Sequence, residues 1–294
     1  MQAFFQQVVS GLASGGIYAS LALALVLIHR ATGVINFAQG EMAMFSTYVA
    51  WTLTVNHGWA YWPAFAATLL VSFGGGVGIH QFAIRPNERG SVLRVVIVTI
   101  GLLLAFNGLA TLLWSGEVRA VQSPFPTRTV DLGGVAISIQ DIGTIGVALT
   151  TVLVLGALFR WTKIGLAMRA AAVSPAEARL VGVPVAWMLS LGWGLAAVLG
   201  AIAGMLAAPS VFLDPNMMQA ILIYSFAAAV LGGIDSPAGA VVGGLLLGVG
   251  LNLVGAYVGF VGADLRLPVA LAVILVVLLL KPAGIFGRRT VQRV

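Results

Sequence analysis

The stretch LSLGWGLAAVLGAIAGMLAAP, residues 189–209, runs for 21 residues without a charge. A helix rises about 1.5 Å per residue, so such a run covers the roughly 30 Å hydrocarbon core of a bilayer. Outward from it, further apolar runs lie near 8–28, 33–55, 60–83, 94–114, 141–160, 217–233, 237–258 and 267–281. Together they predict an all-α, polytopic membrane helix bundle of about nine spans, eight to ten within the uncertainty of the boundaries. The runs at 33–55 and 217–233 are the most interrupted, because each contains or ends in polar and Gly-rich sequence. Composition agrees: 60% of the 294 residues are hydrophobic and 8% are charged, against roughly a quarter charged in a soluble domain.

Charge gives the orientation. With the N-terminus outside, the inner face holds Arg30, Arg85, Arg89, Arg94, Arg160, Lys163, Arg169, Arg179, Lys281, Arg288, Arg289 and Arg293. The outer face keeps Arg119, Arg128 and Arg266. That bias follows the positive-inside rule, so the N-terminus is expected outside and the C-terminus in the cytoplasm. The net charge of +6 is scattered between apolar runs and forms no basic stripe with interleaved aromatics, which argues against nucleic acid as a partner. The first 28 residues carry no Lys or Arg; the positive region of a cleaved signal peptide is missing, and the chain reads as mature from Met1.

The chain reads as one domain over residues 1–294, with two loops long enough to matter. The outer loop near 115–140 carries Pro124, Pro126 and Gly133-Gly134 and reads as an ordered turn region. The inner loop near 161–188 contains Ser174-Pro175-Ala176-Glu177, a capping-box pattern with Ser174 at the N-cap, Pro175 at N1 and Glu177 reaching back. Gly182 and Pro184 would end that helix after about two turns. Such a helix, flanked by Arg169 and Arg179, is either a handle for another subunit or a connector lying on anionic headgroups. Glycines spaced four apart (Gly11/Gly15, Gly200/Gly204, Gly239/Gly243, Gly244/Gly248, Gly255/Gly259) point to close helix packing rather than to a ligand.

Two further segments could carry chemistry. In Gly33-Val34-Ile35-Asn36-Phe37-Ala38-Gln39-Gly40-Glu41, two amides and a carboxylate sit inside or at the edge of the second span. Glu41 reads as the one acid lying well within a span, where an unpaired charge costs several kcal/mol. A discontinuous helix beside a transport pathway and a structural hydrogen-bond cluster both fit these residues. Gly232-Gly233-Ile234-Asp235-Ser236-Pro237 is an inner-face turn in a corresponding place of the second half, although no convincing sequence repeat links the halves.

Several chemistries lack their residues. Cysteine is absent, neither lysine lies in a phosphate-loop motif, and the three histidines lack metal-ligand spacing. No nucleophile elbow, voltage-sensor pattern or potassium-type filter is present. The chain is therefore expected to be no enzyme and to bind no metal or cofactor of its own.

Gly15-Gly16-Ile17-Tyr18-Ala19 and the Asn36–Glu41 element resemble the opening of branched-chain amino-acid ABC transporter permeases. The likeness continues through Arg85-Pro86, Met168-Arg169-Ala170 and Ala178-Arg179-Leu180-Val181-Gly182. It extends to Ala229-Val230-Leu231-Gly232-Gly233-Ile234, Ser236-Pro237, Gly239-Ala240 and Pro282-Ala283-Gly284-Ile285-Phe286-Gly287-Arg288. Within that family the chain resembles the shorter, LivH-type member of a LivH/LivM pair. The resemblance implies a multi-pass permease of the bacterial inner membrane, embedded in membrane lipid. It implies as partners a LivM-like second permease, two ATPase subunits that bind ATP, and a soluble substrate-binding protein. It places the substrate pathway at Asn36, Phe37, Gln39, Gly40 and Glu41. It places the ATPase-coupling surface at Arg169, Ala170, Ser174, Pro175, Glu177, Ala178, Arg179 and Gly182, and an inner-face turn at Gly232, Gly233, Asp235 and Pro237. Gln39 stands where many relatives have His. Urea or short-chain amide importers share much of the pattern, and an ion-coupled secondary transporter would have Glu41 as its coupling candidate.

Overall fold

The computed structural model describes residues 1–88, 90–126, 128–132, 135–259, 262 and 265–287. Each apolar run of the sequence contains a helix. α1 spans Gln2–Thr32, α2 Gln39–Trp51, α3 Tyr61–Ile79, α4 Val92–Trp114 and α5 Ile139–Trp161. After two short helices, α6 (Lys163–Val173) and α7 (Pro175–Leu180), come α8 (Val185–Val211), α9 (Gln219–Gly232), α10 (Pro237–Tyr257) and α11 (Arg266–Leu280). Six are long and apolar enough to cross a membrane: α1, α3 with the π-helical turn His80–Ile84, α4, α5, α8 and α10. α9 and α11 are apolar but shorter, and α2 has 13 α-helical residues before a π-helical turn at Thr52–Asn56.

The second run differs from its sequence reading in a way that matters. α1 continues to Thr32 and stops at Gly33, whose φ of 71° closes the helix with an N–H donated to the His29 carbonyl at 2.7 Å. A residue with a Cβ is disfavoured in that left-handed conformation. Residues 34–38 are non-helical, and α2 begins only at Gln39. Glu41 therefore lies in the first turn of a helix rather than within a continuous span. The outer loop holds a small antiparallel hairpin, β1 (Thr129–Leu132) and β2 (Val135–Ser138), in register Thr129↔Ser138 to Leu132↔Val135. With an isolated antiparallel bridge between Arg119 and Leu213, it makes up the β structure among the described residues. Its expected turn at Gly133-Gly134 lies outside them, as do Arg89, Arg288, Arg289 and Arg293.

Two sets of four helices share one packing scheme. α1 packs on α10 as α8 packs on α3; α2 packs on α8 as α9 packs on α1; α2 packs on α4 as α9 packs on α11. Exchanging α1–α4 with α8–α11 maps this scheme onto itself, and α1 and α8 pack against one another at its centre. The end of α1 and the start of α8 share one end of the bundle, where Leu27 and Arg30 face Met188 and Leu189 around a cavity. The two sets therefore run in opposite directions, as an inverted repeat. α5 stands outside the scheme. Glycines make the tightest seams. Gly11 and Gly15 of α1 lie on Val249, Gly244 and Leu245 of α10, while Gly200 and Gly204 of α8 lie on Gln39, Ala43 and Thr47 of α2. In lipid, close packing of this kind replaces the hydrophobic drive of a soluble core.

Candidate functional site

α2 opens on a turn built from Asn36 and Gln39. The Asn36 Oδ1 accepts from the Ala38 N–H at 3.1 Å, and its Nδ2 donates to Gln39 Oε1 at 3.1 Å. Gln39 then donates Nε2 to the Ala196 carbonyl of α8 at 2.8 Å. Ala196 is about 16 Å along α8 from its first residue, by helical rise, so α2 starts deep in the bundle. Both amides are fully buried, and Gly40 lies beside Met218 and Leu222 of α9. Phe37, between them in sequence, is 40% exposed.

Glu41 is 4% exposed, and its Oε2 accepts from Asn107 Nδ2 of α4 at 3.4 Å. The same amide nitrogen faces the Pro215 carbonyl at 3.0 Å and Asn216 Oδ1 at 3.3 Å. An amide nitrogen carries two hydrogens, so Asn107 cannot donate to all three acceptors at once.

Pro215 and Asn216 belong to a second break, residues 212–218, between α8 and α9. Here Asp214 Oδ1 accepts from the Asn216 N–H at 2.7 Å, and Gln219 Nε2 donates to Asn216 Oδ1 at 2.8 Å. The Gln219 N–H bonds the Asn216 carbonyl just as the Gln39 N–H bonds that of Asn36. Asn36-x-x-Gln39 and Asn216-x-x-Gln219 are thus counterparts in the inverted repeat, each opening a short helix. The first is sealed, whereas Asn216 and Gln219 are exposed. Arg119 ties the outer loop to this second break through paired backbone hydrogen bonds with Leu213, and its guanidinium lies 4.3 Å from the Trp51 ring centre.

At the opposite end, Arg169 and Ala170 lie on α6, which Thr162 caps by accepting from the Gly165 N–H at 3.0 Å. Sequence reading did not separate this helix from the loop. Pro175 starts α7 as expected, but α7 has six residues, less than two turns, and the Ser174 side chain makes no capping bond. The Ser174 backbone, at φ −143° and ψ 84°, closes the first turn through its carbonyl, which accepts from the Ala178 N–H. Ala178 packs under α7 against Met168, Ala171, Val185 and Met188. Glu177 and Arg179 point outward, Leu180 and Val181 are 88% and 79% exposed, and Gly182 turns the chain at φ 83°.

The turn after α9 is formed as expected. Gly233 takes φ 106°, Ser236 caps α10 by accepting from the Gly239 N–H at 3.0 Å, and Pro237 follows at N1. Asp235 lies 3.6 Å from His29 at the end of α1. The segment after α11 folds back onto this turn: the Ile285 and Phe286 N–H groups donate to the Leu231 and Gly232 carbonyls at 2.8 and 2.9 Å.

With this geometry in view, comparison with known proteins is decisive. Residues 7–280 match the family described as "Branched-chain amino acid transport system / permease component". The chain belongs to the branched-chain amino acid transport permease family. It is 32% identical to the high-affinity branched-chain amino acid transport system permease protein BraD of Pseudomonas aeruginosa, over 99% of this chain and 98% of BraD. It is 29% identical to the corresponding LivH protein of Escherichia coli, again over 99% and 98%. The fold resembles a chain of the PsaBC complex with Fab from Streptococcus pneumoniae, with a TM-score of 0.50 at 15% identity, covering 96% of this chain and 92% of that one.

Within this permease, most of the motifs that carry the resemblance gather at one end of the bundle: Arg85-Pro86, α6 and α7, the Gly232–Pro237 turn and Pro282–Gly287 fold together there. His80 adds a contact that the sequence did not signal. It is fully buried on the π-helical turn after α3, with Nδ1 2.8 Å from Ser190 Oγ of α8 and Nε2 2.9 Å from Glu88 Oε1. Asn107, Asn216 and Gln219 were missed as well. The repeated Asn-x-x-Gln was the available signal for two of them, while Asn107 sits alone in an apolar run.

Proposed function

We propose that this chain is the transmembrane permease subunit of an ATP-binding-cassette importer that carries branched-chain amino acids across the bacterial cytoplasmic membrane. The observation that supports this most directly is end-to-end similarity to BraD and LivH, permease proteins of high-affinity branched-chain amino acid systems. Residues 1–294 act as one permease domain. The end carrying Arg30, Arg85, Arg94, Arg160, Lys163, Arg169, Arg179 and Lys281 faces the cytoplasm, as positive charge favours. All nine apolar helices then alternate direction, with α2 and α9 crossing as short helices completed by their non-helical openings. A LivM-like permease completes the pore, two separate ATPase subunits bind and hydrolyse ATP, and a soluble binding protein delivers substrate. The ATPase docks on α6 and α7, where Val173, Leu180 and Val181 form an exposed apolar patch among Arg169, Glu177 and Arg179.

Substrate passes the two helix breaks. Glu41, the Pro215 carbonyl and Asn216 Oδ1 converge on Asn107, and a second carboxylate, Asp214, lies on the same break, so acceptors and negative charge gather here. An ammonium group brings three donors and a positive charge, so the region suits the ammonium end of an amino acid. Asn36, Gln39 and Gly40 hold α2 so that Glu41 faces it. The test is uptake of labelled leucine by the full complex in proteoliposomes with ATP. Glu41→Gln keeps the shape and an acceptor but removes the charge, and uptake is expected to fall about tenfold, equivalent to about 1.4 kcal/mol, with assembly unchanged. Leucine uptake at the unmodified rate would remove Glu41 from the pathway. Uptake of urea in preference to leucine would overturn the substrate assignment.

A further inference from the structure

The cation-rich end holds a cavity that the transport pathway does not use. It encloses about 320 Å³ between α1, α5, α6, α8 and α10, within the range of roughly 300–1,000 Å³ typical of ligand pockets. Its inner wall is apolar, with Leu23 and Leu27 of α1, Phe159 of α5 and Met168 of α6 among its lining. Its charged lining is Arg30, in the last turn of α1, and Arg169 of α6. Leu23 and Arg30 are seven residues apart on one helix, about 10 Å along its axis, so the cavity is apolar at depth and cationic at its rim.

Neither arginine makes an ion pair among the described residues. Asp235, a carboxylate at this end, lies 3.6 Å from His29. Two guanidiniums over an apolar shaft call for a ligand with an anionic head and a hydrocarbon tail. We propose that this cavity binds one anionic phospholipid, its phosphate on Arg30 and Arg169 and part of an acyl chain between α1 and α5. The site shares no residue with the Glu41–Asn107–Asn216 cluster. Because Arg169 lies on α6, the bound lipid would set the position of the helix next to α7.

The proposal is tested on the purified full chain, without ATPase, by native mass spectrometry from mixed micelles of dioleoylphosphatidylglycerol and dioleoylphosphatidylcholine. The expected result is one retained phosphatidylglycerol, in preference to phosphatidylcholine by about tenfold or more. Arg30→Gln with Arg169→Gln should abolish the preference. Gly192→Leu tests the shaft separately: a Cβ there meets only the Met168 methyl at 3.8 Å, so the longer side chain has room to enter the cavity and exclude the lipid of either head group. Each variant is compared at equal thermal stability. Equal retention of both lipids by the unmodified chain would overturn the proposal. So would phosphatidylglycerol held as tightly by the double arginine variant, or by Gly192→Leu, as by the unmodified chain. The readout contains no ATPase and no substrate, so it stands or falls apart from the importer reading.

Discussion

The turns that open α2 and α9 share a sequence pattern and differ in burial. Asn36 and Gln39 are sealed in the bundle, and Gln39 is anchored to the Ala196 carbonyl. Asn216 and Gln219 share the backbone bond but are exposed, and their side-chain bond is reversed, with Gln219 Nε2 donating to Asn216 Oδ1, which also faces the amide of Asn107. In an inverted repeat each half meets a different environment once the rest of the chain has folded around it. α2 lies along α8 with glycines at the seam, whereas the opening of α9 buries Leu213, Met217 and Met218 and leaves the Asn216 and Gln219 side chains exposed. One copy of the motif is a buried weld, and the other presents its amides at the surface. The same pair of residue types is thus sealed in one place and exposed in another.

This contrast can be broken most severely at the weld. Gly204→Val places a side chain against Thr47 Oγ1 and the backbone carbonyl of Ala43. Overpacking of that kind costs about 3 kcal/mol, and the folded permease recovered on size-exclusion chromatography should fall several-fold. Gln39→Leu comes next. It removes the bond to the Ala196 carbonyl and takes the Gln39 acceptor from the buried Asn36 amide, costs about 2 kcal/mol, and should lower the melting temperature by several degrees. Gln219→Leu, its mirror image, should change stability by no more than about 0.5 kcal/mol while reducing leucine uptake. Equal melting shifts for the two glutamines would erase the distinction drawn here. The smallest effect repeats the contrast at two serines: Ser236→Ala should cost about 1 kcal/mol because its hydroxyl caps α10, and Ser174→Ala only a few tenths because no such bond exists. A chemical-denaturation series separates them.

Much of the fold was legible because lipid imposes one simple rule, that backbone polar groups be satisfied within each helix. Runs such as 189–209 and 267–281 became α8 and α11 for that reason. The break at 33–38 was harder to place. Val34, Ile35 and Phe37 read as span residues by composition, and only Gly33 and Asn36 marked the turn. Hydropathy reports what surrounds a residue and is silent about its backbone when protein, not lipid, is the surrounding. The Ser174 box carried every residue type required, yet the backbone at Ser174 adopts another conformation and the side-chain bond is never made. Of the candidate site, Asn36 to Glu41 was visible as a polar island. Asn107 was not, because its importance comes from three acceptors brought to it by segments distant in sequence.

The fold-back of residues 281–287 onto the Gly232–Gly233 turn bears on biogenesis. The Leu231 and Gly232 carbonyls receive their partners from Ile285 and Phe286, which leave the ribosome only after α11 has been made. Until then the turn is an unlatched corner at the end where the partner subunits are proposed to dock. A chain stopped at Leu280 would hold every apolar helix and still lack that latch. Truncation there would strip the Leu231 and Gly232 carbonyls of these two donors without shortening any apolar helix.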